Sequence, residues 1–136
     1  MDRALGVDEF TEEHWPIVTK KTTAYAESKI KAEQAAWEFH KNNDEPFELC
    51  VVNPGFILGP TIGGAAGTSE KLASSIMMGK NKFLPKIWMP CVDVRDVAEA
   101  HFLALEKGVS GDRHILSAIT INFVELGQTF HKIYGH

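Results

Sequence analysis

Tyr25 and Lys29 stand four residues apart in the stretch Thr22-Thr23-Ala24-Tyr25-Ala26-Glu27-Ser28-Lys29. On a helix that spacing puts a phenol and an ammonium on one face. The cation favours phenolate, draws the tyrosine pKa below its usual value of about 10, and makes the side chain a usable acid or base near neutrality. A tyrosine lying along a lysine stem at a surface has the same spacing, so the pair alone does not decide the chemistry. Other reactive types are placed less suggestively. Six histidines are scattered without HExxH spacing, and Cys50 and Cys91 lie in separate apolar segments without CxxC. No metal site is expected, and the two cysteines read as buried free thiols. Residues 59–67 hold four glycines but no G-x-G-x-x-G, which reads as a flexible substrate-side loop rather than a phosphate cradle.

The elements that must position these residues follow from local pattern. Helix formers dominate after Thr22 and Thr23, either of which can cap, and no proline or glycine intervenes before Pro46. The helix is expected to run to about Lys41, with Ala32, Ala35, Ala36 and Phe39 as a small-residue packing face. Residues 47–52 read as a strand, and the apolar run from Leu49 to Val52 predicts burial on both faces, as in a parallel sheet. Asn53-Pro54-Gly55 would end it at a carboxyl edge, where open α/β sheets bind ligands. There Pro54 offers no N–H and Gly55 lets a flat ring approach the backbone.

Further on, residues 69–78 predict a helix with Leu72, Ile76 and Met77 apolar and Gly79 just past its end. Asp93, with Asp96 three residues later, predicts the cap of another helix. Val94, Val97, Ala98, His101 and Leu105 would form its buried face, and Gly108 would end it. Residues 113–117 read as a short strand. Asn122 and Glu125 have capping-box spacing for a last helix through about Tyr134. Residues 1–19 are polar and irregular, a loop with one short helical turn near residues 10–15.

Composition narrows the function classes. At 136 residues the chain suits one domain with a real core. The net charge of −4 and the lack of a Lys/Arg run argue against nucleic acid or an acidic membrane as partner. No apolar stretch approaches the roughly 20 residues of a membrane span. Met1-Asp2-Arg3-Ala4 does not begin a signal peptide, so a reducing cytoplasmic setting is expected.

Three blocks in order carry a family resemblance: Tyr25-x-x-x-Lys29, then Asn53-Pro54-Gly55-Phe56-Ile57-Leu58-Gly59-Pro60, then Val92-Asp93-Val94-Arg95-Asp96-Val97-Ala98-Glu99-Ala100-His101. They resemble the C-terminal half of extended short-chain dehydrogenases/reductases (the NAD-dependent epimerase/dehydratase superfamily), closest to the dihydroflavonol-4-reductase-like branch. Phe10-Thr11-Glu12-Glu13-His14-Trp15 is similar to the segment that precedes the tyrosine in that branch.

The resemblance implies an α/β fold over residues 1–136: the C-terminal portion of a Rossmann-type doubly wound parallel sheet plus the small substrate-binding lobe. It also implies an NAD(P)-dependent oxidoreductase acting on small-molecule carbonyls or alcohols. In that scheme Tyr25 donates the proton, while Lys29 lowers its pKa and holds the nicotinamide ribose. Asn53, Pro54, Gly55 and Phe56 join them at the cofactor, NADP or NAD, with NADP favoured. Ile57, Leu58, Met77 and Trp88 line the substrate side.

Two features depart from the family pattern. No serine precedes Ser28, where the family carries a Ser or Thr that bonds the substrate oxygen, and the glycine-rich dinucleotide turn is not among these residues. The isolated chain is therefore expected to be inactive and prone to self-association through exposed strand edges. A non-catalytic binding or scaffold remnant, and a 3β-hydroxysteroid dehydrogenase or nucleotide-sugar epimerase relative, stand as alternatives.

Overall fold

The computed structural model describes residues 10–64 and 67–135. Contacts group the chain into two compact units. One comprises the chain up to Val52 together with Leu103–Ile115, and the other Asn53–Phe102 with the chain from Leu116 onward. Helices and strands alternate through both, giving the α/β class predicted.

In the first unit, α1 (Ala24–Asn42) starts where Thr23 Oγ1 accepts the Ala26 N–H at 3.2 Å, satisfying one of the free donors of the first turn. It ends at Asn43 and Asp44, short of Pro46. Its inward side carries Glu33, Trp37 and buried His40, whose ring packs against Trp37 and Phe47 and whose Nε2 bonds the Phe47 carbonyl. The predicted packing face is not the one used. Ala32, Ala35 and Ala36 are exposed and Phe39 is 58% exposed.

The strand predicted at residues 47–52 forms later, as β1 (Val51–Pro54), because its partner decides where the ladder begins. That partner is β4 (Arg113–Leu116). Val51 N–H bonds the Asp112 carbonyl, and further along Gly55 N–H bonds that of Leu116, the order of a parallel pair. Leu49 precedes the strand and gives its N–H to Ser110 Oγ. With β4 its sole sheet neighbour among the described residues, β1 is half-buried throughout rather than buried on both faces.

The second unit is built on β2 (Phe56–Leu58), β3 (Trp88–Asp93) and β5 (Ile119–Asn122), three strands that local pattern did not reveal. β3 is central, parallel to β2 and antiparallel to β5. α2 (Thr68–Met77) forms the crossover between β2 and β3. It stops as predicted. Gly79 takes φ 64°, its N–H bonds the Ile76 carbonyl, and the Lys80 N–H bonds that of Ser75. The capping box at the start of α4 (Phe123–Tyr134) also forms, with Asn122 and Glu125 each accepting the other's backbone N–H.

Ile76 of α2 and Phe123 and Leu126 of α4 make the core, with Leu72, Leu84, Met89, Ile121 and Phe130 packed on it. α3 (Val94–Lys107) follows β3 directly. Val97 is its buried residue, whereas His101 and Leu105 point outward, against the predicted face. His101 Nδ1 lies 2.7 Å from the Val97 carbonyl on its own helix. The helix turns a narrower side inward than the apolar spacing implied, because small Ala100 and Ala104 are half-buried in place of Leu105.

Candidate active site

The first turns of α1 present the two residues with the most pronounced chemistry. Tyr25 is 73% exposed, and Lys29 Nζ lies 5.6 Å from the centroid of its ring, within cation–π range. The nearest carboxylates along the helix are paired with other cations. Glu27 pairs with Lys31 at 2.6 Å, and Glu33 pairs with Arg113 at 2.6 Å. Among the described residues Lys29 has no carboxylate partner.

Arg113, which local reading passed over as a strand start, is the organising residue of this unit. Its Nε and Nη2 reach both oxygens of Glu33, at 2.6 and 3.2 Å, a fork-to-carboxylate pair. Its Nη1 donates to the carbonyls of Glu12 and His14, and its guanidinium carbon lies 4.0 Å from the Trp15 ring centroid. Glu12 in turn accepts the Ile115 N–H at 3.1 Å, and that bond holds its carboxyl below the usual range. The segment before the tyrosine is thus pinned as a hydrogen-bonded turn, Thr11 to His14, rather than a helical one. Eighty residues separate Glu33 from Arg113, so no local signal could have paired them.

Residues 53–58 belong to the other unit. Asn53 and Pro54 are inside β1, so the strand does not stop at them. Only Gly55 separates β1 from β2, and the reason for glycine there differs from the one expected. A Cβ would sit 2.4 Å from the Pro90 carbonyl oxygen, so the chain's own backbone, and not a flat ligand, fills that space. Gly59 is similarly committed, with φ 136° and the Val94 side chain 2.7 Å from where a Cβ would lie. The loop expected to be freely flexible is therefore fixed at its start, and its residues 65–66 lie outside the described ones.

At the carboxyl ends of β2 and β3 an open groove of about 240 Å³ is lined by Leu58, Gly59, Cys91, Val92, Asp93, Ala118 and Ile119. It is largely apolar, with one carboxylate. Asp93 accepts the Arg95 N–H at 2.8 Å and pairs with both Nε and Nη2 of Arg95, which holds its pKa at about 2. Asp93 thus acts as both cap and ion-pair partner at the start of α3. Burial pushes up the thiols of Cys91 and Cys50, so neither is a ready nucleophile. Of the four predicted substrate residues, Leu58 lines this groove. Ile57 pairs with Val92 within the sheet, Met77 ends α2, and half-exposed Trp88 sits at the opposite end of β3 from Asp93.

Known proteins resemble this chain over most of its length. The sequence profile of the NAD dependent epimerase/dehydratase family matches residues 4–118. Cinnamoyl-CoA reductase CAD2 of Medicago truncatula is 30% identical over 93% of this chain and 39% of its own length. The NADPH-dependent methylglyoxal reductase GRE2 of Saccharomyces cerevisiae is 37% identical over 79% of this chain and 36% of its own length. The crystal structure of the yeast methylglyoxal/isovaleraldehyde reductase Gre2 complexed with NADPH superposes with a TM-score of 0.73, covering 84% of this chain and 38% of that one. Gre2 from Candida albicans gives 0.75 at 30% identity, covering 91% and 41%. The chain spans about two fifths of the length of these relatives, and over that span it belongs to the NAD dependent epimerase/dehydratase family.

Proposed function

We propose that this chain carries the proton-transfer half of an NAD(P)-dependent carbonyl/alcohol oxidoreductase of the dihydroflavonol-reductase-like kind. One observation carries the reading: an exposed Tyr25 with the Lys29 ammonium over its ring. Both groups have hydrogen-bonding capacity to spare, as a carbonyl oxygen and a ribose diol would require. When bound, a nicotinamide cofactor supplies the hydride in such a reaction. Tyr25 then gives its phenolic proton to the oxygen on which negative charge builds, and Lys29 stabilises the phenolate left behind.

Lys29 also offers donors to the ribose, and Asn53, Pro54, Gly55 and Phe56 are assigned to the nicotinamide side. NADP is favoured over NAD, in keeping with the NADPH dependence of the methylglyoxal reductases. Leu58 in the apolar groove, with Ile57, Met77 and Trp88, is assigned to a small carbonyl or alcohol substrate. Among the described residues no helix is long and apolar enough to cross a membrane, and a cytoplasmic setting is part of this proposal.

Tyr25→Phe tests the assignment in a version joined to a dinucleotide-binding half. Turnover should fall by about 10²–10⁴-fold while cofactor affinity stays within a few-fold. Activity close to wild type would remove Tyr25 from the chemistry.

The alternative is a binding or scaffold module without catalysis. Both readings agree on the isolated chain. A few hydrogen bonds worth about 1 kcal/mol each do not offset the roughly 4–15 kcal/mol cost of immobilising a large flexible ligand. Calorimetric titration with NADPH and NADH should therefore show no appreciable binding. Micromolar affinity for either would mean that these residues hold a pyrophosphate site of their own. Self-association of the isolated chain belongs to the same proposal and is read from its sedimentation.

A further inference from the structure

We propose that Arg113 is a positioning residue for the Tyr25–Lys29 pair, and that it works by withholding Glu33 from Lys29. The inference rests on the catalytic reading for its functional meaning, but its geometry stands alone. The residues three and four positions from Lys29 along α1 are Tyr25, Ala26, Ala32 and Glu33, so Glu33 is the one anion at helix-neighbour spacing. Left free, the Glu33 carboxylate would compete for the Lys29 ammonium at this spacing, in the weaker Lys-before-Glu order, and draw it one turn along, away from the phenol.

Arg113 prevents this from outside the helix. It occupies both carboxylate oxygens of Glu33, with both side chains close to buried, and is itself fixed by the Glu12 and His14 carbonyls and the Trp15 ring. Trp37 Nε1 adds a third donor to Glu33 at 3.3 Å. A planar fork held on several sides is stiff, whereas a lysine in its place would be a single mobile charge. The result is an ammonium whose nearest helical competitor is already taken.

The contact can be read directly in the 136-residue chain by the nuclear Overhauser effect between the Lys29 ε-methylene and the Tyr25 ring. Glu33→Gln, which removes the competing anion, should leave the effect intact although the ion pair is gone. Arg113→Met, which frees the anion, should weaken it by up to about twofold, the scale of a helical Lys–Glu pair. Arg113→Met combined with Glu33→Gln should restore it, and Arg113→Lys, which leaves one mobile charge on Glu33, should give an effect between those of the wild type and Arg113→Met.

If Arg113 were only a clamp, every variant that breaks the pair would behave alike. Loss of the effect in Glu33→Gln, or its persistence in a folded Arg113→Met, overturns the proposal, and circular dichroism establishes folding. Should Arg113→Met not fold, the Glu33→Gln and double-variant results decide. No cofactor or turnover enters this measurement, so it fails or succeeds separately from the Tyr25→Phe test.

Discussion

The two units are held together by different physics. In the unit from Asn53, Ala73, Ile76, Cys91, Val92, Val97, Phe123 and Leu126 are buried, and an apolar cluster joins α2 to α4. In the other, His40 is the one buried residue among those described, and the ties are polar: Arg113 to Glu33, Glu12 and His14, and His40 to Phe47. Apolar burial is strong but non-directional. A fork-to-carboxylate pair fixes angles as well as distance. The unit that carries Tyr25 and Lys29 is thus oriented more than it is cored, which suits a site whose chemistry depends on where one proton points.

That contrast can be broken at its apolar side first. Phe123→Ala removes a ring that packs on Ile76 and Leu126 and meets Phe56 edge-on, with ring centroids 6.4 Å apart. It should cost about 3–5 kcal/mol, read as a lower midpoint in urea unfolding. A cost below about 1 kcal/mol would show that the cluster is not what holds this unit.

A smaller effect sharpens the polar side, because a carboxyl in each unit is held below its usual range. Asp93 is lowered to about 2, chiefly by its hydrogen bond to the Arg95 side chain, and Glu12 is lowered by the Ile115 N–H. A carboxyl whose folded pKa is depressed contributes stability that is complete above its unfolded pKa and is lost as pH falls through the folded one. Asp93 therefore stabilises fully above about pH 4, and that contribution disappears towards pH 2. Asp93→Asn should flatten this part of an acid-unfolding curve, and Glu12→Gln a part just below pH 4.5. The change will be modest, since Asp93 and Arg95 face solvent. A curve of unchanged slope in Asp93→Asn would mean that the Arg95 pair contributes nothing to the fold.

What the sequence determined by itself was local. Thr23 capping α1, the Asn122–Glu125 box opening α4, Gly79 closing α2, and Tyr25 facing Lys29 all rest on interactions within five residues. Backbone geometry alone dictates them. The three ordered blocks also sufficed to place the chain in its family, which the match over residues 4–118 bears out.

Tertiary structure decided the rest. Whether residues 49–54 pair early or late depended on where β4 offers hydrogen bonds, and the need for glycine at position 55 depended on Pro90, thirty-five positions away. The outward turn of Leu105 and of the alanine face of α1 depended on which neighbours each helix meets. Arg113 is the plainest case. Its residue type says only that it is charged, and its role comes from the fold bringing it to Glu33, Glu12, His14 and Trp15 at once.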